Sequence, residues 1–228
     1  MSKSTVPVPD ELRRSARKTL ALEIRPDGTL LVRAPLRMSR AAIDRFLREK
    51  ADWIAEKQQK ARQNTKNNAL IVQNGACWPL FGREVRLMFA SVKKASLCEE
   101  TGILYLPADT PETALKRFYR EQTRCVCSRL AEDWAPKMGV TFEKVKVNGA
   151  KTRWGSCSAC GNLNFTWRLA LCPLPVVEYV VIHELCHRRH MDHSAAFWRM
   201  VAGYCPDYIV HKRWLKIHNA LMQEIRTI

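Results

Sequence analysis

An apolar run that ends in two histidines constrains this chain more than any other feature. Pro175-Val176-Val177 and Val180-Val181 lead straight into His183-Glu184-Leu185-Cys186-His187. The proline opens a helix. Its apolar flanks predict a buried, rigid position for that helix. His183 and His187 are four residues apart, about one turn, so both imidazoles share one face. Two imidazoles placed this way reach one ion at roughly 2.0–2.1 Å. Glu184 lies beside them, positioned to touch a water on that ion instead of the ion itself.

A catalytic metal site needs a third protein ligand and one open position. His193 follows His187 by six residues, past an expected helix end at Met191-Asp192. A turn there returns it to the ion. Metzincins space their ligands in the same way and make the turn with a glycine, where this chain has His190. His190 is also seven residues from His183, so on a continued helix it shares the ligand face. His190 thus competes with His193 as third ligand, or supports a ligand by donating a hydrogen bond. Four of the six histidines fall between positions 183 and 193, a clustering that scattered core or surface histidines do not produce.

These parts predict hydrolysis. Zinc lowers the pKa of its bound water to about 7 and polarises a carbonyl or phosphoryl oxygen. Glu184 takes the water's proton and later passes it to the leaving group. Arg153, Tyr208 and His190 are candidates to steady the developing oxyanion or touch the substrate.

Composition narrows the setting. The 228 residues suffice for one domain with an extension. Hydrophobic residues at 46% and charged residues at 26% exclude a disordered, collagen-like or coiled-coil chain. Lys+Arg number 38 and Asp+Glu 22, a net +16 that attracts polyanions such as nucleic acid or nucleotides. The cysteine count is odd, at nine, and Met1–Pro7 has no apolar signal core, so reduced thiols and a cytoplasmic location are expected. No apolar run approaches the ~18–20 residues of a membrane span.

Residues 1–12 read as a disordered tail and 13–228 as one domain, with a sub-boundary near 110 as an option. Positions 20–34 read as a hairpin turning at Pro26-Asp27-Gly28. Ser39 caps a helix to about Gln63 with the stripe Ile43, Phe46, Leu47, Trp53 and Ile54, and 62–68 is a linker or loop. Strands are expected at 69–73, 78–81, 84–89, 103–107, 140–148 and 163–169. Thr110-Pro111-Glu112 opens a helix that Gly139 stops. Ser194 and Pro206 open two more.

The cluster His183-Glu184-Leu185-Cys186-His187, His190, His193-Ser194 and Phe197-Trp198 resembles the YgjP-like metal-dependent hydrolases. Those are zinc metallopeptidases by prediction, related to the SprT and WLM proteases. Lys151-Thr152-Arg153-Trp154-Gly155-Ser156-Cys157 resembles the family's R-W-G-S-C element. Cys205-Pro206-Asp207-Tyr208 with Trp214-Leu215 resembles its ending, and Pro26-Asp27-Gly28 with Val32–Pro35 its opening hairpin. The likeness runs from about 13 to 222. It implies an α+β, zincin-like fold, β-rich in its N-terminal half and helical in its C-terminal metallopeptidase half. It also implies His183, His187 and His193 as zinc ligands and Glu184 as catalytic base.

The substrate reading has alternatives. A zinc peptidase takes protein or peptide, held against a sheet edge for which 163–169 is the candidate. A metal-dependent nucleoside-triphosphate pyrophosphatase suits the charge, with Arg153 or the stripe Arg117, Arg120 and Arg124 as phosphate contacts. It lacks a P-loop, and H-E-x-x-H chemistry matches acyl transfer better. A binding module with a structural metal needs four ligands and leaves Glu184 idle. Cys157-Ser158-Ala159-Cys160 is a single C-x-x-C, half of a structural zinc site, and reads as plain thiols.

Overall fold

Leu30-Leu31-Val32 and Ala34 form the most buried strand near the N-terminus, and the first unit is built on it. The computed structural model describes residues 6–25, 28–67, 70–222 and 226–227. It divides into two units, Met1–Ala69 and Leu70–Ile228. In the first unit, β1 (Glu11–Ser15) runs parallel to β3 (Leu30–Pro35), and β2 (Ala21–Ile24) pairs antiparallel on the other side of β3. Glu11 and Leu12, read from sequence as tail, begin β1; residues 1–5 lie outside the described residues. The expected hairpin is β2–β3, and its turn residues Pro26 and Asp27 lie outside the described residues.

Ser39 caps α1 (Arg40–Glu49), its hydroxyl accepting from the Ala42 N–H at 3.2 Å. The single helix expected to Gln63 is interrupted at Lys50, and α2 (Ala51–Asn67) follows. Residues 62–67, expected as a linker, are helical; Asn68 and Ala69 lie outside the described residues. Ile43, Leu47 and Ile54 are buried, but Trp53 is exposed. The three buried residues already continue one stripe at helical spacing, and Trp53 sits a position off it.

The second unit opens with β4 (Ile71–Val72), β5 (Cys77–Leu80), β6 (Arg83–Ala90), β7 (Ser96–Cys98) and β8 (Ile103–Pro107). It continues with α3 (Pro111–Lys137), β9 (Lys144–Asn148), β10 (Gly155–Cys157), β11 (Asn162–Thr166), α4 (Leu174–Cys186), α5 (Ala195–Tyr204), α6 (Tyr208–Ile217) and β12 (Arg226–Thr227). One sheet has the order β5-β6-β8-β7, another β10-β11-β9, and β12 pairs with β4. The chain is thus a mixed helix-and-sheet protein, and the sheet β10-β11-β9 lies among the C-terminal helices. β7 was not anticipated: three residues carry too little alternation to read. The strand expected at 163–169 ends at Thr166, and Trp167–Leu171 is a 3-10 turn. All five of those residues are buried, and an all-buried run reads the same in strand or turn.

α3 is the spine of this unit. Leu115 and Tyr119, toward its start, pack with Trp78, Leu87, Leu104 and Trp167. Cys127, Leu130, Ala131 and Ala135, toward its end, pack with Leu163, Phe165 and α4. Between them the Thr123 hydroxyl donates to the Trp167 carbonyl at 2.9 Å. The Tyr119 hydroxyl donates to the Pro79 carbonyl at 2.8 Å, satisfying a polar tip inside the core.

α4 is helical although it is rich in valine, a residue that favours strands. Val176, Val177, Val180, Val181, Ile182 and Leu185 are all buried. Each such side chain contributes about 1.5–3 kcal/mol on burial, which outweighs a propensity cost below about 1 kcal/mol.

Candidate metal centre

α4 ends where the chemistry begins. Its last helical residue is Cys186, and His187 is the cap. The backbone then turns tightly: the Arg189 and His190 N–H groups both donate to the Cys186 carbonyl, at 3.1 and 3.0 Å. This turn aims the His190 carbonyl at His187, whose Nδ1–H donates to it at 2.9 Å. A carbonyl only accepts, so the proton sits on Nδ1 and Nε2 keeps its lone pair.

The chain returns along 191–194. The Ser194 hydroxyl caps α5 by accepting from the Phe197 N–H at 3.4 Å. His193 is thereby brought back over α4, with its Nε2 3.2 Å from His183 Nε2. Ligand atoms of His183, His187 and His193 all lie within 4.8 Å of one another. Two nitrogens on a tetrahedral ion with arms of 2.0–2.1 Å stand about 3.3 Å apart. The His183–His193 separation fits that edge.

Phe197, fully buried, is the floor of the cluster. Its ring centroid lies 4.9 Å from His183, 4.6 Å from His187 and 4.8 Å from His193. Burial, reinforced by the two neighbouring imidazoles, pushes His183 down to about 3. Burial also lowers His187. Both are held neutral at physiological pH, the form that offers a lone pair to a metal. His183 Nδ1 is buried with no hydrogen-bond partner among the described residues. The donor set, three nitrogens and no thiolate or carboxylate, fits a transition-metal ion.

Glu184 points from the same turn towards β10. It is only 5% exposed, and burial pushes its carboxyl up to about 8, against the Cys157 backbone N–H and the charge of Arg153. β10 comes this close because residue 155 is glycine. A Cβ there would stand 2.6 Å from Glu184 Oε1 and 2.8 Å from Cγ, inside any real contact. β10 pairs on one side with β11 and among the described residues has no strand on the other. The strand expected to offer the sheet edge, β11, is the central one; β10, against Glu184, is the edge on this side.

The remaining sequence candidates separate. His190 is outside the imidazole cluster, and it is its carbonyl, as acceptor, that supports His187. Its ring is not carried onto the ligand face, because α4 stops at Cys186. Arg153 is exposed, and its charge reaches Glu184. Tyr208 stacks on Trp198, centroids 5.4 Å apart, and Trp198 stacks on His193 at 5.7 Å. Gly155 as a cradle, Phe197 as a floor and the Cys157 N–H as a donor were roles the sequence did not reveal. The first two depend on tertiary contacts and the third on main chain.

Cys157, the last residue of β10, is partly buried, Cys160 in the turn before β11 is exposed, and both are free thiols. On α3, Arg117 and Arg120 are exposed, while Arg124 pairs with Glu121.

Three imidazoles converging beside a buried carboxyl are the equipment of a metal-dependent hydrolase. Residues 18–218 match the family model described as YgjP-like, metallopeptidase domain, and the chain belongs to that family. It is therefore an enzyme of a metallopeptidase family, with a metal cofactor and a protein or peptide substrate. No curated protein and no solved structure matches it. Among the described residues no helix is long and apolar enough to cross a membrane.

Proposed function

We propose that the chain is a zincin-like zinc metallopeptidase in which Glu184 activates the water that attacks a peptide bond. One observation carries this reading: three imidazoles converge within 4.8 Å while the carboxyl next to them in sequence is buried in a glycine cradle. His183, His187 and His193 would hold the ion. When bound, zinc lowers the pKa of a water and polarises the scissile carbonyl.

The rest is done by the chain. The His190 carbonyl keeps the lone pair of His187 available by holding the proton on the other nitrogen. Glu184, in its carboxylate form, takes a proton from the attacking water, and the proton affinity that burial gives it favours holding that proton until it passes to the departing amine. The Cys157 N–H keeps that carboxyl in one orientation. A substrate strand laid along the free edge of β10 would present its carbonyl beside Glu184. Arg153 is the proposed helper for the developing oxyanion.

The test compares zinc-loaded wild type with Glu184→Gln on an unfolded protein, with and without DNA, and on a panel of nucleoside triphosphates. Wild type cleaves protein, and Glu184→Gln keeps its zinc but loses at least about 10²-fold in kcat. Hydrolysis of triphosphates without cleavage of protein would replace the peptidase reading with the nucleotide one.

A further inference from the structure

α6 holds a cation beside the imidazole cluster that water activation does not use. Lys212 Nζ lies 3.9 Å from the ring centroid of Trp198. That ring stands 5.7 Å from His183 and 5.7 Å from His193. One indole thus contacts both the ammonium and two of the three imidazoles. The placement follows from the helix period. Tyr208, His211, Lys212 and Leu215 are at i, i+3, i+4 and i+7, one face of α6. Tyr208 and Lys212 meet Trp198, His211 meets Tyr179 at 6.0 Å, and Leu215 packs on the core.

A cation here works against the site. Its charge repels a dication held by the imidazoles, because the indole it sits on also meets two of their rings. Among the described residues Lys212 makes no ion pair, and α6 contains no acidic residue. The ring contact leaves ammonium N–H donors free to meet an incoming group. Arg153, exposed two residues before the glycine that abuts Glu184, adds a second positive charge. Around both lies a molecule of net +16, a field that concentrates anions.

We propose that Lys212 receives a carboxylate of the substrate, so that the enzyme selects peptides with an acidic side chain, or their own C-terminal carboxylate, close to the cleaved bond. The inference rests on the peptidase reading above. Peptides that differ only in Glu versus Gln at each position around the bond, each with a free or an amidated C-terminus, test it. With zinc-loaded wild type, the acidic member of a pair is favoured about 10-fold or more in kcat/KM, a size ordinary for a charge pair formed on binding. Lys212→Gln brings the ratio close to one, and Lys212→Glu inverts it. If amidation alone abolishes the preference, the carboxylate is the terminal one; if only Glu→Gln does, it is a side chain.

Two further readouts do not depend on turnover. Calorimetry on zinc-loaded Glu184→Gln shows the acidic peptide binding more tightly than its amide, and adding Lys212→Gln removes the difference. Zinc affinity of the metal-free protein rises several-fold in Lys212→Gln as the like charge is removed. An acid-to-amide preference that survives Lys212→Gln overturns this proposal and leaves the peptidase reading standing. If no peptide is cleaved in a Glu184-dependent way, the peptidase reading falls. Calorimetry then decides Lys212 separately, and equal binding of acid and amide overturns its role. Binding of triphosphates through Lys212, with no preference for acidic peptides, also overturns it.

Discussion

At the scale of single residues the site depends on one missing atom. Glu184 is buried against β10, and the space it occupies is the space a side chain at 155 would fill. Gly155→Ala places a Cβ 2.6 Å from the present position of Oε1, so the carboxyl has to move. In the proposed mechanism this carboxyl transfers the proton, and misplacing such a group by about 1 Å costs on the order of 10²-fold. The expected outcome is a loss of that size in kcat, with zinc content unchanged because the atoms nearest the added Cβ all belong to Glu184. Steady-state kinetics with metal analysis checks it. His190 teaches the reverse point. From sequence its ring competes for the metal, whereas in the fold its carbonyl does the work, a contribution no side-chain pattern encodes.

At the scale of elements, the third imidazole depends on the start of α5. The Ser194 hydroxyl holds the Phe197 N–H, and His193 is the residue just before that cap. Ser194→Ala removes the cap at a cost of about 1 kcal/mol, roughly 2–4 °C in Tm for a chain this long. Zinc affinity should fall roughly tenfold as well, since groups that orient a ligand carry effects of that order. Thermal unfolding and zinc titration measure the two together; a Tm change without a zinc effect would detach the cap from the site. The caps of α1 and α5 were legible because a serine followed by a helical pattern is a local signal. The break at Lys50 and the short β7 were not, because neither carries a periodicity long enough to read.

At the scale of the whole molecule, half-buried His183 and buried Glu184 oppose each other as pH changes in the metal-free protein. His183 titrates at about 3 in the fold against 6.5 ordinarily, so the unfolded chain binds more protons between those values. Stability therefore falls as pH drops below about 6.5, and the lowered His187 adds in the same direction. Glu184 titrates at about 8 against 4.5, so the folded chain keeps a proton that the unfolded chain releases. Its share of stability is present below 4.5 and is lost as pH rises towards 8. In metal-free protein, Glu184→Gln abolishes that alkaline loss, so its Tm relative to wild type rises steadily from pH 5 to pH 8. A pH-independent difference would show that the buried carboxyl is not protonated. By itself the sequence determined what neighbours along a helix decide: His183 and His187 one turn apart, Glu184 beside them, and an apolar run that must be buried. These follow from the 3.6-residue period and need no other part of the chain. The tertiary structure alone decided that β10 passes close enough to cradle Glu184, that Phe197 closes the floor under three imidazoles, and that α6 sets Lys212 against Trp198. Most of those contacts join different elements of the chain, and their geometry is set by how the helices and sheet pack, which no local pattern specifies.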